Sequence, residues 1–242
     1  MIKRALLIIF CAAVLAAASH SWAASAGAYR TPRRTVETFA NAIKVGNVPA
    51  MQACVITRNA EQAALLHAIF ERQAAHCRLE KAALKKFGPR GRRMLDYGHV
   101  SIAEQLRQGL RFLKTARLVI RDRRAELIPR RPHRSRHIRN RRHAPKDVYP
   151  PMYFLKVNGK WKIDASRSIH INGHSTRRQL REAITLAKGL AAAINRTAAD
   201  INGGKFRTAR AAKRVLARRM TRVIDAYLAQ VQKKKGLGGA PQ

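Results

Sequence analysis

The apolar positions change period twice along the chain. Thr31-Pro32 opens a helix, because threonine caps and proline suits the first turn. Val36, Phe39, Ala40 and Ile43 recur at helical spacing, and Gly46-Asn47 stops the run. Residues 47–55 (NVPAMQACV) read as a short second helix. A long helix is expected from Asn59 to Phe87, with Asn59 and Gln62 in capping-box spacing and Gly88-Pro89 ending it. Its apolar face would be Leu65, Ile69, Ala75, Leu79, Ala83 and Phe87, and residues 88–99 would form a loop. Ser101 and Glu104 start one more helix, through Leu106, Leu110 and Leu113.

Alternation then replaces the helical period. Residues 116–129 (ARLVIRDRRAELIP) alternate about Asp122, as a bent strand or short hairpin would. In 152–166 (MYFLKVNGKWKIDAS) two extended runs flank Asn158-Gly159, the dipeptide suited to a two-residue hairpin turn. Tyr153, Leu155 and Val157 alternate before the turn, Trp161 and Ile163 after it. Between these strands, 129–147 is rich in proline and arginine and reads as a basic loop. Helical spacing returns at Thr176, which caps with Gln179 a run through Leu180, Ala187, Leu190, Ile194 and Ile201. Thr208 opens another through Leu216, Val223, Ile224, Tyr227, Leu228 and Val231. Both runs have one apolar stripe and a basic opposite face, predicting a C-terminal helical hairpin. The fold class expected is therefore α+β, helices packed on a curved antiparallel sheet, with no sequence repeat.

The first 26 residues stand apart: a basic start (MIKR), an apolar run over 5–18, then small residues. Ala24-Ser25-Ala26 fits a signal-peptidase site, with Ala26-Gly27-Ala28 as the neighbouring alternative. The run is shorter than the roughly 20 residues that a spanning helix needs. Cys11 follows Phe10, unlike a lipoprotein attachment site. The chain is thus expected to be exported, periplasmic or extracellular, with no integral membrane segment after cleavage. The divisions are 1–26 leader, 27–172 α+β domain, 173–235 helical extension and 236–242 tail.

Composition adds a partner class. Of 242 residues, 50 are Lys or Arg and 13 are Asp or Glu, a net charge of +37, and 46% are apolar, enough for a core. The stretch 130–143, RRPHRSRHIRNRRH, holds seven arginines, three histidines and no acid. Arg130, Arg131, Arg134, Arg136, Arg139, Arg141 and Arg142 are accordingly candidate polyanion ligands, for nucleic acid, anionic lipid or acidic polysaccharide. Basic residues also cover nearly every other segment, and the stretch has no aromatic to stack on bases. A solvated basic surface is the competing reading. His133, His137 and His143 lie among arginines that repel a cation, so no metal is expected there, and no motif calls for a cofactor. Glycines 203 and 204 follow a helix rather than a strand and read as its cap, not a phosphate loop.

Cys54 and Cys77 remain after the leader. An unbroken helix from Asn59 to Cys77 spans about 27 Å. The five residues back to Cys54 recover at most about 17 Å. The shortfall exceeds the ~7 Å reach between bridged Cα atoms, so a disulfide requires a bent or late-starting helix.

Three stretches, 31–55, 116–128 and 153–166, together resemble the nuclear transport factor 2-like superfamily, a cystatin-like cone also seen in ketosteroid isomerases and polyketide cyclases. Small exported bacterial members typically begin with a Thr-Pro-led helix and close on an Asn-Gly-x-Trp hairpin. The resemblance covers roughly 30–166. It implies a sheet curled round the long helix, with a conical cavity used for a small-molecule ligand, for catalysis, for homodimer contacts, or not at all. Asp96, Tyr97, Trp161 and Asp164 are the cavity candidates, with His99 beside the first two. An isomerase would need one of these carboxylates as base. None falls on a recognisable family position, so no catalytic residue is assigned. The expected function is a non-enzymatic binding or scaffolding protein of the cell envelope. Polyanion binding is the alternative, and an isomerase- or cyclase-type enzyme a second one.

Overall fold

A computed structural model describes residues 27–94, 115–128, 151–168 and 176–234. In chain order these form α1 (Pro32–Val45), α2 (Val48–Ala53), β1 (Val55–Ile56), α3 (Ala60–Met94), β2 (Arg117–Arg121), β3 (Arg124–Ile128), β4 (Met152–Val157), β5 (Lys160–Asp164), α4 (Ala165–Ser168), α5 (Arg177–Asn202) and α6 (Ala209–Lys234). The class is α+β. The sheet is open and five-stranded, in the order β1-β5-β4-β3-β2.

Helix termini follow the capping chemistry. The Thr31 side chain accepts from Arg34 N–H, and Gly46 closes α1 at φ 76°, a conformation that favours glycine. Asn59 Oδ1 accepts from Gln62 N–H at 2.8 Å. Thr176 and Gln179 form a complete, reciprocal capping box at the start of α5. Gly88, at φ 68°, breaks α3 where expected, but 89–94 are helical again, so this part of the expected loop is a kinked extension. Pro89 explains the resumption: it cannot continue a helix yet suits the first turn of a new one.

Both ribbons fold back tightly. Val157 pairs with Lys160 across Asn158 and Gly159, which take φ 49° and 76°. Arg121 pairs with Arg124, and Asp122 takes φ 50° in that turn. The sheet is mixed rather than purely antiparallel as expected. Val55 and Ile56 run parallel to Ile163 and Asp164 on the edge of β5. On β4 the buried residue is Phe154, opposite Ile163, whereas Tyr153, Leu155 and Val157 on the other face are only partly covered.

Two cores flank α3. Leu66, Phe70 and Ala74 join Ala42, Val48 and Met51 on one side. Ala75, Leu79, Ala82 and Ala83 meet Ala191, Ile194, Ile201, Ala212 and Leu216 of α5 and α6 on the other. The single apolar face expected for this helix is therefore two, and the alanines let α5 lie close along it. A third cluster joins Trp161, Phe154, Ile163, Leu127 and Ala125 to Val36 and Phe39 of α1. Thr35 Oγ1 ties α1 to β5 by donating to Trp161 O at 2.9 Å. No α3 residue belongs to that cluster: α1 lies between the sheet and the long helix, touching it through the edge-to-face pair Phe39–Phe70.

Cys54 and Cys77 are buried and unbridged. Cys77 Sγ donates to Ile43 O at 3.1 Å. Burial pushes the Cys54 thiol up to about 11, against a lowering contribution from its hydrogen bond with Tyr29. No helix among the described residues is long and apolar enough to cross a membrane.

Candidate functional site

The expected arginine site from Arg130 to Arg142 lies outside the described residues, as do Asp96, Tyr97 and His99. The two remaining cavity candidates are on opposite faces of β5, because strand neighbours alternate. Trp161 is 4% exposed and packs in the sheet core. Lys156 Nζ sits 5.8 Å from the centre of its ring. Asp164, three residues on, is half-buried and reaches a cleft.

That cleft has a volume of about 460 Å³. Ile56, Phe154 and Leu155 form its apolar lining, and Thr57, Arg58, Arg124, Arg167 and Asp164 its polar lining. The arginines come from three parts of the fold. Arg58 lies two residues past β1, Arg124 begins β3 opposite Leu155, and Arg167 is on α4. The Arg167 guanidinium stacks over Tyr153, 4.2 Å from the ring centre, an arrangement that holds it in place. Asp164 Oδ1 accepts from the Ser166 N–H at 3.1 Å and from the Ser166 hydroxyl, so this carboxylate starts α4 as a cap. Among the described residues, none of Arg58, Arg124 and Arg167 is ion-paired with an acid. The cleft was hidden from sequence reasoning because its arginines are far apart in the chain and carry no motif.

A second basic feature runs between α3 and α5, a groove of about 830 Å³. Arg78, Lys81, Lys85 and Lys86 line one wall, Asn195 and Asn202 the other, and among the described residues no acid lines it. Arg78, Lys81 and Lys85 are exposed, and Lys86 is exposed beside them. Residues 78, 81 and 85 fall at i, i+3 and i+7, one stripe of the helix. Arg78 Nε donates to Asn195 Oδ1 at 2.9 Å, bracing that wall against α5. Like charges at i, i+4, here Lys81 and Lys85, repel by about 0.2–0.5 kcal/mol, a strain that a bound anion relieves.

Among the described residues, one charged side chain is buried, at the end of α5. Asp200 is 7% exposed and accepts from Lys205 Nζ at 2.7 Å and from the Arg219 guanidinium at 2.6 Å. Arg219 also donates to Thr197 Oγ1 at 3.1 Å. These hydrogen bonds, Lys205 first, lower the Asp200 carboxyl below its ordinary value. The network fastens α6 to the end of α5, which is a structural task. Among the described residues no three His, Cys, Asp or Glu side chains gather as a metal site would need. No family model, curated protein or solved structure matches the chain.

Proposed function

We propose that this chain is an exported, non-enzymatic binding protein of the cell envelope that holds a linear polyanion along the α3–α5 groove. The observation that carries the reading is the row Arg78, Lys81, Lys85 and Lys86, exposed on one helix beside two asparagines, with no acid among the described residues that line the groove, though Glu71 stands 4.0 Å from Arg78. Elongated polyanions repeat their charges every few ångströms. Lys81 and Lys85, four residues apart, rise about 6 Å along the helix. Their asparagine neighbours supply neutral hydrogen bonds for sugar or backbone oxygens. The net charge of +37 draws polyanions to the whole surface, and the groove gives them a place to lie.

The export leader over 1–26 and the nuclear transport factor 2-like resemblance of 30–166 belong to the same proposal, with α5 and α6 as its helical hairpin. Support for the resemblance comes from the Thr31 cap, the Gly46 turn and the Trp161-bearing ribbon.

Heparin chromatography of the chain from residue 27 tests the groove. A Lys81→Ser, Lys85→Ser, Lys86→Ser variant should elute at clearly lower salt than a variant losing three charges on α6, at Arg210, Arg214 and Arg218. Equal elution of the two would retire the groove, leaving only bulk charge. A third variant, Arg→Ser throughout 130–143, separates the arginine-rich stretch: if it elutes earliest, the binding surface is there.

A further inference from the structure

We propose that the cleft at the end of β5 is a binding site for a small phosphate monoester with an apolar body. This ligand differs in class from a polyanion, and the site is carried by other residues. Its volume of about 460 Å³ falls within the usual range for small-molecule pockets, about 300–1,000 Å³, and far exceeds a bare inorganic ion. Ile56 and Leu155 supply a surface for the body of such a ligand, with the buried Phe154 behind them, and Arg58, Arg124 and Arg167 supply donors for its head.

Charge and shape select the head. Three guanidiniums and the Asp164 carboxylate leave a local balance of two positive charges. A phosphate monoester carries about −1.5 to −2 at neutral pH and offers three acceptor oxygens. A carboxylate offers one charge and two oxygens in a plane. Arginines from the loop after β1, from β3 and from α4 all line this cleft, and a head with three acceptor oxygens offers a partner to each. None of them is neutralised by an acid among the described residues. Arg167 is already oriented by its stack on Tyr153, which lowers the entropy lost on binding. Asp164 excludes a second anionic group from its own side of the cleft and, through its Ser166 hydrogen bonds, places α4 and therefore Arg167.

Calorimetric titration of the chain from residue 27 at low ionic strength, with phenyl phosphate, inorganic phosphate and benzoate, tests the assignment. Phenyl phosphate should bind at least about tenfold more tightly than either of the others, since inorganic phosphate has no body for the apolar lining and benzoate brings only one charge and two oxygens to three arginines. Arg124→Ser and Arg167→Ser should each weaken it by about tenfold or more, the usual consequence of removing a charged hydrogen-bond donor. The Lys81, Lys85, Lys86 triple variant should bind it unchanged. Arg124 is exposed, so Arg124→Ser keeps the fold even if replacing Arg167 disturbs α4; unchanged far-UV circular dichroism checks this. Equal binding of phenyl phosphate and inorganic phosphate would overturn the site, as would full binding by Arg124→Ser.

Discussion

Gly189 sits in the middle of α5, where helix propensity alone favours its replacement. Alanine is better than glycine in a helix interior by about 0.8–1.0 kcal/mol. The packing opposes it. A Cβ built on Gly189 would stand 2.7 Å from Cγ1 of Val223 on α6, well inside the ordinary contact distance of about 3.5–4.0 Å. Valine on a helix has one strongly preferred rotamer, so the methyl cannot simply swing away, and α6 must shift. Overpacking of this kind costs about 1–3 kcal/mol. That cost outweighs the gain in propensity: Gly189→Ala should destabilise by about 1 kcal/mol, a fall in Tm of about 2–4 °C for a chain of this size. In a Val223→Ala background the obstruction is gone and the same substitution should stabilise by about 0.9 kcal/mol. The coupling in this double-mutant cycle is then about 2 kcal/mol, readable by urea denaturation followed by circular dichroism. A Gly189→Ala change that stabilises equally in both backgrounds would show that α5 and α6 do not meet at this point.

Acid should loosen the same pair of helices. The folded-state Asp200 carboxyl is held below its ordinary 3.8, so its contribution is complete above that value and disappears as pH falls through the lower folded value. Asp200→Asn should therefore lower Tm at pH 6, by a margin that narrows as pH falls below 3.8; a margin that stays constant on acidification would contradict this. The thiols give a third check. With the Cys54 thiol raised to about 11, about one molecule in a thousand carries thiolate there at pH 8, and burial blocks reagents further. The unreduced chain from residue 27 should show two reactive thiols in guanidinium and none when native; none in guanidinium would reveal a disulfide.

Local signals were the ones most legible in the sequence. Asn158-Gly159, Thr31-Pro32 and Thr176 with Gln179 encode turns and caps within four residues, and each forms the structure its chemistry favours. Longer-range features were not legible. Val55 and Ile56 form a strand only because β5, over a hundred residues later, offers an edge, and two residues cannot show a period. Tyr153, Leu155 and Val157 have the alternation of a buried face, yet Phe154 takes the core because it stands opposite Ile163 in the observed register. The expected face of α3, with Ala75, Leu79 and Ala83, does pack on α5 and α6, but the second face, Leu66, Phe70 and Ala74, was not read because only α1 and α2, folded back on it, bury it. The cleft arginines belong to the same class: Arg58, Arg124 and Arg167 are ordinary surface residues until the sheet gathers them.

The two-sided burial of α3 makes it a shared wall between the ends of the molecule. Leu66 and Phe70 serve the side that holds the sheet through α1, while Leu79 and Ala83, little more than two turns further on, serve α5 and α6. Cutting the chain in the connection over 169–175 and discarding α5 and α6 would uncover Leu79 and Ala83 to solvent. The front portion would then be left sticky rather than independent. The groove lysines ride on this same wall, so a polyanion held there, as proposed, would also brace the seam between front and back.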